Sequence, residues 1–384
     1  MFICLYLLKK LPHCFLIRLG EEVHKFCFTV CTVRIYVTQG MDYLEEGNWT
    51  TSTPVLYQEA RSLGILFFRI PLGIVGNSFV LLAVALSKRL QTVANIFVIN
   101  LAIADILTCS LLIGYYVSNW IEYFQGLDIF CIIIVALTQA CVGCSIYTLA
   151  SISVNRYVII TRSIRFYQLT FQPRVVAPWI ISIWSVSIAV SIFPPLACGI
   201  GELGYDWDSS QCNPKSSHPK AMVYEIILTV FYFPVPLVVT IVCYTFVYLH
   251  LRLHNKRMKH HIYHDGLNMT STSTSNDEDR PVTKVSRPSS GLKTISRRQI
   301  QITKNLFIIF CAFLLCMMPH AICSVIGCAG NVTRIIVSLH NVINPFIYGI
   351  SHPLFREVFK CILTLRPIRE PSTIGKLFNR ITTL

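Results

Sequence analysis

Seven long apolar stretches divide this chain, and shorter polar links separate them. The stretches cover residues 63–87, 94–117, 129–155, 175–201, 226–249, 305–326 and 335–352. Each is close to the ~20 residues that a helix needs to cross the hydrocarbon core of a membrane. Lipid offers no partner to an unpaired backbone amide, so such segments must be helical. The pattern predicts an all-α membrane protein, with a bundle of seven transmembrane helices over residues 62–350.

The composition and the distribution of charge support this interpretation. Of the 384 residues, 53% are hydrophobic and 14% are charged, whereas about 25% of a soluble domain is charged. Lys88 and Arg89 follow the first stretch, and the link 250–304 holds eleven basic residues against four acids. Basic links face the cytoplasm, which predicts an extracellular N-terminus and a cytoplasmic C-terminus. The net charge of +14 is thus a sign of topology, and nucleic-acid binding is not expected.

The segments outside the bundle have distinct compositions. Residues 1–61 are expected to form an extracellular tail in which Asn48 begins a glycosylation sequon. Residues 1–40 carry basic residues that contradict this location, so we expect them to be absent from the mature protein. Residues 251–298 are rich in Ser, Thr and charge, which is typical of a disordered cytoplasmic loop. Its hydroxyl groups are candidate kinase targets, although the loop would also serve as a simple spacer.

Few of the sixteen cysteines lie where a disulfide can form. Cys131 lies 25 residues before Arg156, which corresponds to ~37 Å of helix, and is therefore placed at the outer end of the third span. Cys212 lies in the next outer link and is the expected partner of Cys131, with Cys198 as the alternative. Such a bond would fasten the outer link over the mouth of the bundle.

Polar residues inside the spans are candidates for function, because a charge is costly there. Asp105 is the one acid within the seven stretches, and amide and hydroxyl side chains occur in other spans: Asn77, Ser145, Asn341 and Asn344. These oxygens could surround a small cation such as sodium. The alternative is that they only join the helices by hydrogen bonds. Prolines within spans five, six and seven (Pro236, Pro319 and Pro345) predict kinks.

Together these features resemble the rhodopsin-like (class A) G-protein-coupled receptors over residues 62 to 362. The landmarks occur one to a span and in order: "GNSFV", "LAIAD", "NRY", Trp184 with Pro194, Pro236 with Tyr244, Pro319, and "NPFIY". Cys131 and Cys212 occupy the positions of the disulfide of that family. The resemblance implies a cell-surface receptor that binds an extracellular ligand between its helices and activates a heterotrimeric G protein. Receptor kinases, arrestin and membrane lipid are implied as further partners.

The resemblance assigns roles to individual residues. It implies that Arg156 contacts the G protein and that residues around it carry activation: Asn155, Tyr157, Tyr244, Asn344, Pro345 and Tyr348. It implies a core that repacks between states: Ile146, Pro236, Phe313, Met317 and Pro319. It places Asp105, Ser145, Asn341 and Asn344 in a sodium pocket. Residues 351–384 would contain a short amphipathic eighth helix and a tail, with Cys361 a candidate for palmitoylation.

Two departures from the family pattern bear on signalling. Asn155 stands where an acid usually precedes the arginine, and Gln299 stands where an acid is common in the sixth helix. We therefore expect a loosened resting state and signalling without ligand. Met317 replaces the tryptophan of the family's "CWxP" motif, so the coupling between ligand and the sixth helix is expected to differ.

The depth of a residue in the membrane indicates whether it can line a ligand pocket. Thr138 lies 18 residues before Arg156, ~27 Å towards the outside, and the other candidate pocket residues are Gln139, Tyr232, Phe233, His320 and Ser338. Amine receptors carry an aspartate in place of Thr138, and opsins carry a lysine in place of Ser338. We therefore expect neither an amine counter-ion nor covalent retinal, but a small molecule or a peptide. The "NRY" motif and the apolar third helix resemble melatonin-type receptors.

Two other classes of membrane protein stay open. A seven-helix transporter or channel would need polar paths across the bilayer, and Asp105 alone provides an acid there. A receptor that binds ligand without signalling is the second alternative. An enzyme is not expected, because the spans contain no paired carboxylates, nucleophile elbow or metal-ligand spacing.

Overall fold

A computed structural model describes residues 68–117, 128–206, 211–271, 297–326, 336–337 and 339–382. The helices and strands in these residues are α1 (Ile70–Leu86), α2 (Val93–Val117), α3 (Asp128–Thr161), α4 (Ile164–Thr170), α5 (Pro173–Ala197), β1 (Leu203–Asp206), β2 (Gln211–Pro214), α6 (Ala221–Tyr232), α7 (Pro234–Ser271), α8 (Arg297–Ile326), α9 (His340–Ser351), α10 (Pro353–Leu363) and α11 (Thr373–Thr382). Asn48 and Ser338, both named above, lie outside the described residues.

The apolar stretches of the sequence form the long helices. Five described segments are long and apolar enough to cross a membrane: Val93–Gly114, Asp128–Thr161, Pro173–Ala197, Ala221–His254 and Ile300–His320. The helix α1 is shorter than these five segments, and α9 lies within the seventh apolar stretch, residues 335–352. Large apolar side chains such as Phe193 and Ile181 are more than 60% exposed on α5, as expected for a surface that faces lipid.

The centre of the bundle is α3, which packs against α2, α5 and α7. It buries both apolar residues and hydroxyl-bearing ones along most of its length. Small side chains let the helices approach closely. Gly143 of α3 lies so near Tyr232 that a Cβ there would meet the ring at 2.5 Å. Such small residues are the usual contacts between helices in lipid.

Span five is interrupted once. The helix α6 ends at Tyr232, and α7 begins at Pro234, since proline removes a backbone donor at that point. The predicted Pro236 therefore lies in the first turn of α7, just after the interruption. Pro319 and Pro345 lie inside α8 and α9.

The outer link after α5 forms a two-stranded antiparallel hairpin. Tyr205 of β1 pairs with Cys212 of β2, and a disulfide joins Cys212 to Cys131 at the outer end of α3. This confirms the predicted pairing. The alternative partner, Cys198, is exposed and carries a free thiol.

The part of the chain that was predicted to lie in the cytoplasm differs from the sequence prediction in two places. The helix α7 continues to Ser271, so residues 251–271, predicted as part of a disordered loop, are helical; no proline interrupts them. The eighth helix is present as α10, which buries Phe355, Val358 and Ile362. Beyond it, the predicted tail contains a further helix, α11.

Candidate functional site

A buried carboxylate joins three helices in the middle of the bundle. Asp105 of α2 is fully buried. Ser145 of α3 donates from Oγ to Oδ1 of Asp105 at 3.2 Å, and Asn344 of α9 donates from Nδ2 to Oδ2 at 2.9 Å. Each carboxylate oxygen keeps lone pairs beyond these bonds. The structure thus brings together three of the residues that the sequence assigned to a sodium pocket.

The other two asparagines of this cluster connect α1 to α9. Asn77 donates from Nδ2 to the backbone oxygens of Asn341 and Gly73, at 2.8 and 2.9 Å. The side chain of Asn341 is fully buried, and neither its oxygen nor its nitrogen has a hydrogen-bond partner within the described residues. A buried amide without a partner is costly, so a water molecule or a cation is the natural occupant beside it.

The donor set fits a sodium ion. Oxygen atoms of Asp105, Ser145 and Asn341 are the kind of ligand that hard cations take, and the Asn341 oxygen has no protein donor among the described residues. If sodium is bound, these residues would hold it and it would supply a positive charge beside the buried carboxylate.

An aromatic and aliphatic core lies next to this polar cluster. Ile146, Pro236 and Phe313 line one cavity between α3, α7 and α8. Met317 is also buried in this core, as part of the same apolar cluster. The ring of Phe313 meets the His340 ring edge-on, with centroids 5.2 Å apart. Three of the residues that the family resemblance assigned to a repacking core, Ile146, Pro236 and Phe313, therefore line the same cavity.

The inner end of α3 holds the arginine of the "NRY" motif. Arg156 is only 5% exposed, and no carboxylate lies within ion-pair distance of it among the described residues. Three tyrosines, Tyr244, Tyr167 and Tyr348, lie near its guanidinium. In the described part of the chain, the arginine Nε and the Tyr348 hydroxyl have no hydrogen-bond partner.

The two residues that flank Arg156 point in different directions. Asn155 is 1% exposed, and neither of its side-chain polar atoms is hydrogen-bonded to a described residue. Tyr157 is tilted against Phe246 of α7, with ring centroids 5.8 Å apart. Its hydroxyl accepts a hydrogen bond from Arg162 at 2.9 Å. Tyr157 is thus part of the contact between α3 and α7, beside the arginine.

The described residues that were predicted to line the ligand pocket are buried or half-buried. Thr138 has a buried hydroxyl without a hydrogen-bond partner in the described residues, and Gln139, Phe233 and His320 are half-buried. Tyr232 is 4% exposed. Its hydroxyl donates to the backbone oxygen of Ser187 at 2.8 Å and lies 2.8 Å from Ser191 Oγ. The structure therefore holds Tyr232 firmly between α3 and α5.

Sequence analysis missed the polar groups of α5 that hold this tyrosine. Ser187 and Ser191 are both fully buried, and Tyr224 donates to the backbone oxygen of Ser191 at 2.9 Å. A spacing of four residues places two side chains on one face of a helix. That spacing in "SVSIAVS" was the available signal.

A second set that sequence analysis missed joins α2, α3 and α5. Trp184 donates from Nε1 to Oδ1 of Asn100 at 3.0 Å, and Asn100 donates from Nδ2 to Oγ1 of Thr148 at 2.7 Å. Asn100 is an amide inside an apolar stretch, which was the signal that it needed partners.

The predicted palmitoylation residue lies on α10. Cys361 is half-buried and packs against the apolar cluster, and burial raises the pKa of its thiol.

Comparisons with known proteins agree with this geometry. The sequence profile described as "7 transmembrane receptor (rhodopsin family)" matches residues 76–348. The chain is 27% identical to "Rhodopsin, GQ-coupled" of Mizuhopecten yessoensis, over 81% of this chain and 61% of that one. It is 29% identical to Melanopsin-B of Xenopus laevis (80% and 57%) and 26% identical to the Alpha-1D adrenergic receptor of Sus scrofa (83% and 59%). The chain thus spans about three fifths of the length of these relatives.

A solved structure shows the same fold. The crystal structure of squid rhodopsin matches with a TM-score of 0.61 and 21% sequence identity, over 88% of this chain and 93% of that one. The predicted seven-helix bundle is thereby confirmed.

Proposed function

The chain belongs to the rhodopsin family of seven-transmembrane receptors, and from that premise we propose that it is a G-protein-coupled receptor of the plasma membrane. It takes an extracellular ligand between its helices and activates a heterotrimeric G protein. The family assignment confirms the class A interpretation of the sequence, and its members are receptors rather than enzymes. The relatives named above are opsins and an adrenergic receptor, which favours a signalling receptor over a transporter or a decoy.

The position of Arg156 carries the proposal. A buried guanidinium at the inner end of the central helix has no carboxylate within ion-pair distance in the described residues. Two buried tyrosines, Tyr244 and Tyr348, lie beside it on α7 and α9. When the inner ends of the helices separate, the guanidinium becomes available to the C-terminal segment of a G protein. The tyrosine hydroxyl groups then bridge the opened helices.

The buried polar cluster supports a role for sodium in the resting state. We propose that Asp105, Ser145, Asn341 and Asn344 hold a sodium ion, with Asn77 fixing the backbone of Asn341. A cation bound to the compact arrangement alone would stabilise it over the open one, because a ligand shifts an equilibrium by its difference in affinity for the two states.

The ligand is proposed as an extracellular small molecule or peptide that is not covalently bound retinal. The seventh stretch, residues 335–352, contains no lysine to form a Schiff base. Thr138 offers an uncharged hydroxyl, so a protonated amine has no counter-ion there. The likeness to melatonin-type receptors stays a prediction. Phosphorylation of the Ser/Thr-rich loop by receptor kinases, followed by arrestin binding, also stays a prediction.

A panel of G-protein dissociation reporters in intact cells tests this function. Cells expressing the receptor are screened with small molecules and peptides, beside cells expressing Arg156→Ala at equal surface density. We expect the receptor to activate at least one reporter and Arg156→Ala to abolish that response. Arg165→Ala, a change at an exposed arginine of α4, is the control and should retain it. Full signalling by Arg156→Ala, or substrate flux into vesicles without any reporter response, would contradict the proposal.

The membrane orientation is tested separately. An epitope tag at the N-terminus should bind antibody in unpermeabilised cells, whereas a tag at the C-terminus should bind antibody only after permeabilisation. Detection of both tags on the same side would rule out an odd number of spans.

A further inference from the structure

The segment that follows α10 folds back onto the inner end of α1. We call residues 366–382 the C-terminal hook. Its backbone joins the first cytoplasmic link in a short antiparallel bridge between Ser87 and Pro371. Ser372 donates from its backbone nitrogen to the Leu86 oxygen at 2.8 Å, and Lys88 donates to the Glu370 oxygen at 3.2 Å. The hook is thus bound through main-chain hydrogen bonds.

Side chains close the hook on itself. The backbone nitrogen of Ile368 donates to Oδ1 of Asn379 at 2.7 Å, and Nδ2 of Asn379 donates to the Ile368 oxygen at 3.0 Å. The backbone nitrogen of Gly375 donates to Ser372 Oγ at 3.0 Å, which caps the start of α11. Ile368 and Ser372 are both 4% exposed. These contacts fix α11 relative to the strand that precedes it.

Charge pairs hold the turn between α10 and α11. Arg89 lies 3.8 Å from a carboxylate oxygen of Glu357 on α10 and 3.9 Å from one of Glu370 in the turn. Leu365 and Glu370 have φ values of 49° and 55°, a left-handed conformation that costs free energy for a residue other than glycine. Glu370 adopts this conformation where its backbone oxygen accepts from Lys88 and its carboxylate lies near Arg89.

This docking fixes the depth of α11 in the membrane. The apolar helix α1 ends at Leu86, and the polar link that starts at Ser87 marks the inner boundary of the hydrocarbon region. Gly375 lies directly against this end of α1, since a Cβ added there would collide with the Leu86 backbone oxygen. The helix α11 therefore begins at the level of the lipid head groups.

The helix at this depth is amphipathic. Ile374, Leu377 and Phe378 fall on one stripe at helical spacing, and Phe378 packs against the apolar cluster of the bundle. The docked side of the helix contains Gly375 and Asn379, whereas Ile374 and Leu377 are 59% and 60% exposed. Residues 364–384 carry four basic side chains and one acid: Arg366, Arg369, Lys376, Arg380 and Glu370. The acid is the one that pairs with Arg89.

We propose that the C-terminal hook is a second membrane-surface element, beyond α10, that binds the anionic phospholipid head groups of the inner leaflet. Ile374 and Leu377 insert beside the acyl chains, and the basic side chains contact the head groups. An amphipathic helix with a basic polar face binds in this way, and each basic residue near an anionic leaflet strengthens binding about fivefold. The depth set by α1 favours lipid as the occupant over a cytoplasmic protein.

Hydrogen exchange on the full-length protein tests this inference. The purified chain is placed in lipid nanodiscs of phosphatidylcholine alone or of phosphatidylcholine mixed with phosphatidylserine, and amide exchange is followed by mass spectrometry in peptides covering residues 366–382. We expect exchange in α11 to slow about tenfold or more when phosphatidylserine is present. Equal exchange in the two lipids would overturn the proposal.

Three variants separate lipid binding from docking. Arg369→Gln with Lys376→Gln should remove the effect of phosphatidylserine, whereas Arg162→Gln with Arg165→Gln, the same loss of charge in the link after α3 and the first turn of α4, should leave it. Ile374→Gln with Leu377→Gln should raise exchange in both lipids. Gly375→Val should undock the hook and expose the amides in every disc. If Gly375→Val alone changes exchange, the hook is held by protein and the lipid proposal is wrong.

A folding control keeps these results interpretable. The buried thiols Cys109, Cys141 and Cys144 react with a thiol-specific dye only when the bundle opens, so the melting temperature from that reaction reports on the transmembrane helices. We expect it to be unchanged in the charge variants. A melting temperature that falls together with the lost lipid effect would count against a surface role.

Discussion

Asn344 of the seventh span donates a hydrogen bond of 2.9 Å to the Asp105 carboxylate of the second span. The two residues lie 239 positions apart, and Ser145 of the third span completes the contact from the other carboxylate oxygen. This three-helix contact has a single carboxylate at its centre. Its stability should therefore respond to anything that changes the charge there.

Sodium should stabilise the protein through Asp105. We expect the melting temperature of the purified receptor to be higher in sodium chloride than in choline chloride, because a ligand that binds the folded state stabilises it by mass action. Asp105→Asn keeps the shape of the side chain but removes the negative charge, and should remove the dependence on sodium. Ser110→Ala, at an exposed position of the same helix, is the control. Equal sodium stabilisation in Asp105→Asn would exclude this carboxylate as the ligand.

Substitution of Asn155 by aspartate should quieten the receptor without ligand. Asn155 is buried beside Arg156, and neither residue has an acidic partner in the described part of the chain. A carboxylate at position 155 would pair with the guanidinium in the resting state, and a gain of ~1 kcal/mol there shifts the balance of states about fivefold. We expect basal signalling to fall by that order.

The measurement is ligand-free G-protein signalling at equal surface expression. Asn155→Ala is the matched control, because it removes the amide but adds no charge, and should not lower basal signalling. An unchanged or higher basal signal in Asn155→Asp would refute the idea that the missing acid loosens the resting state.

The polar cluster around Asp105 was predictable from the sequence. A carboxylate in lipid must have partners, and the family motifs placed Asp105, Ser145 and Asn344 at one depth. The length of the third helix placed Cys131 at the outer end of its span, with Cys212 as the expected partner and Cys198 as the alternative, and the family resemblance implied Cys212. These inferences depend on the spacing of residues along a helix and on the depth in the membrane that this spacing implies, and both can be derived from the sequence.

Contacts that depend on shape or on backbone atoms were not predictable. The orientation of Tyr232 depends on the space left by Gly143, and the sequence does not pair those positions. The docking of the hook depends on backbone oxygens of Ala85 and Leu86, which any residue type supplies. The sequence analysis predicted only the eighth helix and a tail in this region, so α11 and its apolar residues Ile374 and Leu377 were not predicted.

Enlarging Gly143 should loosen the contact between α3 and Tyr232 of α6. A Cβ at this position would lie 2.5 Å from two carbons of the Tyr232 ring, which is too close for either group to stay in place. Overpacking of this kind costs about 1–3 kcal/mol. We expect Gly143→Ala to lower the melting temperature.

A double-mutant cycle connects this loss to the tyrosine. Tyr232→Leu shortens the side chain, and Gly143→Ala should cost less in that background than in the wild type. Gly76→Ala is the reference for a less severe contact, since a Cβ there would lie 3.1 Å from Pro345. If Gly143→Ala lowers the melting temperature equally with and without the Tyr232 ring, the substitution does not act through a clash with that ring.

Loss of the disulfide between Cys131 and Cys212 should release the outer hairpin. The bond closes a loop of 81 residues, and removal of a native disulfide typically costs about 2–4 kcal/mol. We expect Cys212→Ser to lower the melting temperature and to weaken ligand binding, because β2 is then held to α3 only by non-covalent contacts.

Cys198→Ser is the matched control, since that thiol is free and exposed, and should change neither property. The same loss in Cys198→Ser would show that the effect is not specific to the disulfide. No loss in Cys212→Ser would show that the hairpin keeps its position without the bond. In that case the contacts of Tyr205 and Asp128, where the Tyr205 backbone nitrogen lies 3.5 Å from Asp128 Oδ1, would be sufficient to seat it.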